Sequence, residues 1–176
     1  MIIRKATEAD TTALDALFSE ARATIAALGI DQWQNGYPSP AIIAEDLARD
    51  RSFVIEVEDE IVGTFVLVTD GEPDYDRIFD GAWCTGDTDN YVAIHRVAIS
   101  VARRGSGLSS AMINHAADVA HNLGRASLRI DTHRGNVVMR RMLERHGFVH
   151  SGSIYLEGGD HRVAYEKIIN EKDASL

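Results

Sequence analysis

The stretch Tyr91-Val92-Ala93-Ile94-His95-Arg96-Val97-Ala98-Ile99-Ser100-Val101-Ala102-Arg103-Arg104-Gly105-Ser106-Gly107-Leu108-Ser109 decides how this chain folds. Its first ten residues are mostly apolar, the pattern of a central strand covered on both faces. The chain then turns through Arg103 to Gly107. Leu108, Met112, Ala116, Val119, Ala120 and Leu123 follow at helical spacing until Gly124 ends the run, and Ser127 to Ile130 reads as the next strand. A buried strand feeding a glycine turn that opens a helix is a general device for holding phosphate. Unpaired N–H groups at the helix start point outward, the helix dipole favours an anion, and glycine lets the backbone come close. Arg104 adds a charged fork for a phosphate oxygen. The triphosphate-loop string G-x-x-x-x-G-K-[ST] does not occur in the sequence, and the dinucleotide pattern G-x-G-x-x-G is met at Gly105 and Gly107 but broken at Ser110. On local grounds alone, a purely structural glycine turn stays open.

Outward from this unit, a strand at Ile2 to Arg4 is followed by Thr7-Glu8-Ala9-Asp10, a capping box with Asp in place of Glu. Leu14, Leu17, Phe18, Ala21, Ile25 and Leu28 mark a helix that Gly29 stops. Ser39 as N-cap and Pro40 in the first turn start a second, shorter helix to about Ala48. Phe53 to Val57 and Ile61 to Val68 are β-branched runs joined by Glu58-Asp59-Glu60, an antiparallel hairpin. On the other side, Asn136 opens a helix with Met139, Met142 and Leu143 inward, and His146-Gly147 closes it. Phe148 to Leu156 then pairs with Arg162 to Ile168 across Gly158-Gly159-Asp160. The expected fold class is α/β with a single mixed, mostly antiparallel sheet.

The chain has 176 residues, 45% of them hydrophobic, which suits one compact domain over residues 1–170, with 171–176 as a frayed tail. The N-terminus enters an amphipathic segment without an apolar secretory core, and the longest apolar run is too short for a bilayer, so a cytoplasmic protein without membrane partners is expected. A formal charge of −9 argues against a nucleic-acid partner. Cys84 is the only cysteine, and no histidine pair lies four apart inside a helical run, so no metal is expected. Asp70, Glu72, Asp74, Asp76, Asp80, Asp87 and Asp89 share one stretch in which Arg77 is the only basic residue. That stretch reads either as a solvated loop or as a surface drawing in a cationic acceptor.

Arg104-Gly105-Ser106-Gly107-Leu108-Ser109 resembles the acyl-CoA pyrophosphate loop of the GCN5-related N-acetyltransferase (GNAT) superfamily, R/Q-x-x-G-x-G/A, with Ser109 at the position usually held by Gly or Ala. His95-Arg96-Val97-Ala98-Ile99-Ser100 is similar to that family's fourth strand. Asp131 with Asn136 to Gly147-Phe148 resembles its second cofactor segment. The resemblance implies an N-acetyltransferase with splayed central strands that moves an acetyl group from acetyl-CoA directly to a primary amine of a small molecule, amino acid derivative or protein. A non-catalytic acyl-CoA-binding module is the alternative. It further implies that the backbone of Val97, Ala98 and Ile99 meets the pantetheine arm, that Arg104, Gly105, Ser106, Gly107, Leu108 and Ser109 hold the pyrophosphate, and that Asn136 bonds the cofactor. Asn136 reads equally as a helix N-cap.

Transfer to an amine requires a neutral amine, although a free alkyl ammonium has a pKa of roughly 10. His95 is the candidate base, since histidine titrates near neutrality and the family often carries its base on this strand; a buried structural histidine is the competing reading. The tyrosine acid common in the family is replaced by Leu143, and Tyr155, Tyr165 or a water are substitutes among which the sequence does not choose. Trp33, Tyr37, Tyr75 and Trp83 are candidate acceptor-binding residues, aromatic walls near carboxylates, with core packing as the alternative for the two tryptophans. Homodimerisation is left open.

Overall fold

The structure is a computed structural model that describes residues 1–86 and 89–169. In chain order it contains β1 (Ile2–Lys5), α1 (Thr11–Ala26), α2 (Pro40–Ala48), β2 (Ser52–Val57), β3 (Glu60–Val68), β4 (Tyr91–Ile99), α3 (Leu108–Asn122), β5 (Ser127–Thr132), α4 (Val137–Arg145), β6 (Val149–Tyr155) and β7 (His161–Ile168). The strands form one seven-stranded mixed sheet in the order β1-β2-β3-β4-β5-β7-β6. β1 with β2, β2 with β3, β5 with β7 and β6 with β7 run antiparallel, whereas β4 and β5 run parallel. The parallel ladder pairs Tyr91 with Ser127 through Ala93 with Arg129, and β4 continues to Ile99 and β5 to Thr132.

The chain divides into two compact units, Met1–Leu67 with His95–Met112 and Val68–Ile94 with Ile113–Leu176. In the first, the Thr7 amide donates to Asp10 Oδ2 at 2.8 Å and starts a single 3-10 turn that runs into α1. Ser39 Oγ accepts from the Ile42 amide at 3.3 Å ahead of α2, as its side chain must to cap a first turn containing Pro40. Leu14, Leu17 and Phe18 of α1 pack with Ile43 of α2, Val54 of β2 and Ala98 of β4. Each of these side chains except that of Ala98 contributes roughly 1.5–3 kcal/mol by leaving water. Leu28, expected inward, is 36% exposed because α1 stops at Ala26, before the inward face comes round again. The hairpin between β2 and β3 turns on Glu58 and Asp59, both at positive φ (53° and 65°), which matches the right-handed twist of the strands it joins.

In the second unit, Ala116, Ala117 and Ala120 give α3 a smooth buried face, while Leu123, expected inward, is 52% exposed beyond the helix end. The acidic stretch is more structured than either reading of it assumed. Tyr75 and Trp83 are buried, and Phe79 exchanges two 2.8 Å backbone hydrogen bonds with Ser153 of β6. A Cβ at Gly81 would lie 2.0 Å from the Ser151 carbonyl oxygen, and one at Gly152 2.6 Å from that of Phe79, so both positions require glycine by close approach. Asp87 and the tail at 171–176 lie outside the described residues.

A buried ion pair ties this stretch down. Arg129 Nε meets Glu166 Oε1 at 3.0 Å, and both side chains are almost wholly buried. Ser127 Oγ and Thr85 Oγ1 each donate to Glu166 Oε1 at 2.6 Å, and the Cys84 amide donates to Oε2. Arg129 also donates to the Gly86 carbonyl at 2.8 Å and lies between the Trp83 and Tyr91 rings, 4.2 Å from each centroid. Burial is the largest single influence on Glu166 and raises its pKa, but hydrogen bonds from Ser127, Thr85 and Arg129 together outweigh it and hold the carboxyl below its ordinary value.

Candidate functional site

The second half of β4 departs from strand geometry at one residue. Arg96 adopts φ 51°, in the left-handed region that non-glycine residues seldom enter, and His95, Arg96 and Val97 are all partly buried in succession instead of alternating. A left-handed residue of this kind interrupts the regular pleat and re-aims the residues after it. Ala98 then points into the core while Val97 and Ile99 remain partly exposed. The Arg96 guanidinium is held at three points. Its Nε and Nη2 meet Asp46 Oδ2 and Oδ1 at 2.7 Å each, and Nη1 donates to the Tyr37 hydroxyl at 2.6 Å. Burial pushes the Asp46 carboxyl up, and Arg96 opposes that shift.

Beyond β4, Val101–Arg103 forms a 3-10 turn whose first amide donates to Glu20 Oε1 of α1 at 2.9 Å. Gly105 and Gly107 sit at φ 80° and 82° with open space where a Cβ would be, so conformation, not crowding, selects glycine. At the start of α3 the Ala111 amide donates to the Gly107 carbonyl at 3.1 Å, and the amides of Leu108 and Ser109 lie ahead of it. The two arginines of the loop are placed differently. Arg103 is engaged by Glu60 at 3.1 Å and Glu58 at 3.7 Å, whereas Arg104 reaches the neutral Thr24 hydroxyl at 3.2 Å. Left-handed glycines, leading amides and a guanidinium resting on a hydroxyl are donors suited to a pyrophosphate.

In the same unit, Phe18, Trp33 and Tyr37 form a chain of rings with centroids 6.1 and 5.9 Å apart. Both Trp33 and Tyr37 are partly buried, and Trp33 packs on the α1–α2 core. Tyr37 connects this chain to Arg96, and Asp46 is also close enough to His95 for the two to interact electrostatically. Asp46 was missed from the sequence, though its signal was there: a carboxylate three residues after Ile43, on the inward face of α2.

The other site residues read from the sequence belong to the second unit. Tyr75 is 2% exposed and donates to Asp131 Oδ1 at 2.8 Å; Trp83 is 3% exposed and donates to the Tyr75 carbonyl at 3.0 Å. Their rings face each other, Tyr91 and Arg129, so the structure places both in the core of this unit and not on an open wall. Burial first, then repulsion from Glu72 and Asp131, pushes the Asp74 carboxyl up. Asn136 caps α4, its Oδ1 accepting from the Met139 amide at 3.2 Å. Leu143 is fully buried, and the Tyr165 hydroxyl is engaged, accepting from Arg140 Nε at 3.0 Å and donating to Glu144 at 3.2 Å. Tyr155, 48% exposed, stands edge-on to Phe79 and His161.

The family model for the acetyltransferase (GNAT) family matches residues 14–148. Among solved structures, a GNAT-family acetyltransferase from Streptococcus agalactiae 2603 is 32% identical, with 97% of this chain and 96% of that chain covered and a TM-score of 0.86. A GNAT-family acetyltransferase from Listeria monocytogenes 4b F2365, 21% identical with 95% and 94% covered and a TM-score of 0.70, shares the fold. No curated protein matches the sequence. Among the described residues, no helix is long and apolar enough to cross a membrane.

Proposed function

We propose, because this chain belongs to the acetyltransferase (GNAT) family and is an acetyltransferase, that it moves an acetyl group from acetyl-CoA directly to a primary amine. The observation that carries the donor is the loop after β4, where Arg104 and two left-handed glycines lead into the first amides of α3. When bound, acetyl-CoA supplies an activated thioester carbonyl. Arg104 and the amides of Gly105 to Ser109 neutralise its pyrophosphate. The backbone of Val97, Ala98 and Ile99, re-aimed by the left-handed residue Arg96, receives the pantetheine arm, and an N–H near Val97 polarises the carbonyl.

His95, one residue before Arg96, takes a proton from the acceptor ammonium, so that the neutral amine attacks the thioester carbonyl, the N–C bond forms and the C–S bond breaks. The thiolate leaves without an assigned acid, since Leu143 offers none and a thiolate is a good leaving group. Trp33 and Tyr37 line the path of the acceptor, which suits an amine with an apolar or aromatic portion, from a small molecule, an amino acid derivative or a protein. Tyr75 and Trp83 support this reading only as packing for the acidic segment.

Thermal melts with and without acetyl-CoA test the donor. The wild-type melting temperature is expected to rise, and Arg104→Ala to weaken the cofactor at least tenfold, the loss of one charge-assisted fork of roughly 1.5–3 kcal/mol. Release of free CoA across an amine panel then identifies the acceptor. No shift at millimolar acetyl-CoA would remove the basis of the proposal.

A further inference from the structure

We infer that Asp46 is a positioning residue for the reaction: through Arg96 it holds the left-handed turn that aims the β4 backbone. This rests on the reading of Val97 to Ile99 as the acetyl-CoA strand. A residue at φ 51° that is not glycine relaxes toward negative φ unless its surroundings over-determine it. Here the over-determination is visible. Arg96 offers a planar fork: Asp46 Oδ1 accepts from Nη2 at 2.7 Å, its Oδ2 lies 2.7 Å from Nε as the second contact of the ion pair, and the Tyr37 hydroxyl accepts from Nη1 at 2.6 Å. The two charged side chains are only 13% and 7% exposed, so solvent does little to screen their attraction.

The pair spans 50 residues of sequence, from the inward face of α2 to the middle of β4. A glycine at position 96 would reach the same φ without help but would hold nothing, whereas arginine with a buried carboxylate converts a permissive position into a fixed one. The effect of Asp46 on catalysis passes through Arg96; it need not touch substrate.

Glycine populates positive φ about as readily as negative, which gives the test. Asp46→Asn keeps the shape and removes the charge; it is expected to weaken acetyl-CoA about tenfold by isothermal titration, the cost of restoring a left-handed residue on binding. Adding Arg96→Gly to Asp46→Asn should bring the affinity back to within about threefold of wild type. Arg96→Lys, which keeps charge but loses the fork, should fall between the two. The Cα and Hα chemical shifts of residue 96 should report left-handed backbone in the wild type and in the double variant, and its loss in Asp46→Asn. If Asp46→Asn binds like wild type, or the double variant stays as weak as the single, the inference fails while the acetyl-CoA reading stands. Failure of the unaltered protein to bind acetyl-CoA sinks both. Should Asp46→Asn not fold, the comparison of Arg96→Lys with the double variant decides in the same way.

Discussion

Removing the Glu166 side chain tests the energetics of the second unit most directly. Glu166→Ala strands Arg129, whose side chain is 2% exposed, without its carboxylate at 3.0 Å, and leaves the hydroxyls of Ser127 and Thr85 and the Cys84 amide without their acceptor. Breaking a buried pair by deleting one partner costs about 3–5 kcal/mol, because the remaining charge is left uncompensated. Against a total stability of roughly 5–15 kcal/mol that is a large share, and at about 2–4 °C per kcal/mol it lowers the melting temperature by roughly 6–20 °C. The rings of Trp83 and Tyr91 on either side of Arg129 soften the loss but do not supply a counter-ion. Urea unfolding followed by tryptophan fluorescence and far-UV dichroism reads the change. The pH dependence has a definite sign. The carboxyl is depressed in the fold, so its contribution is present above the unfolded glutamate value and is lost as pH falls through the folded one. A destabilisation below about 1 kcal/mol at pH 7 would refute the account of this pair as the anchor of the acidic segment.

Two further outcomes follow from the first unit. Asp10, held by Arg4 at 2.8 Å and by the Thr7 amide, has its carboxyl lowered to about 2. Stability from this group is therefore full above about pH 4 and lost toward pH 2; allowing for a half-exposed Arg4, Asp10→Asn should cost ~1–2 kcal/mol at pH 6 and almost nothing at pH 2, by urea melts at both. His95→Ala should lower kcat by about 10²–10⁴-fold and alter the pH dependence of kcat/KM where chemistry limits, whereas an unchanged rate would assign His95 to packing.

What could be read from the sequence is what is encoded within a few residues. The turn at Arg104 to Gly107, the Ser39 cap and the Asn136 cap each rest on contacts three or four positions apart, and each element they bound was found where its spacing put it. The two hairpins, β2 with β3 and β6 with β7, were legible in the same way, whereas the strand order, with β7 between β5 and β6, depends on pairings remote in sequence. The aromatic residues of the acidic segment were harder. Trp83 and Tyr75 sit among carboxylates in the sequence, and the partner that buries Trp83, Arg129, comes from β5, itself neutralised by Glu166 37 residues further on. Asp46 and Arg96 escaped notice for the same reason: a charged residue on an apolar helix face looks like an interruption until its counter-ion arrives from another strand. The left-handed turn at Arg96 has no local signal at all, since the residues around it read as an unbroken strand.

The contact between Phe79 and Ser153 bears on how the molecule behaves in a crowded solution. β6 is the last strand of its sheet, and such a margin exposes a rail of amides and carbonyls on which a strand from another molecule can dock and begin a growing stack. Here the protein's own segment occupies the rail at Ser153, seated so closely that only glycine fits at positions 81 and 152. The same segment that draws attention for its negative charge thus also works as a guard rail, closing part of the margin to strands of neighbouring molecules.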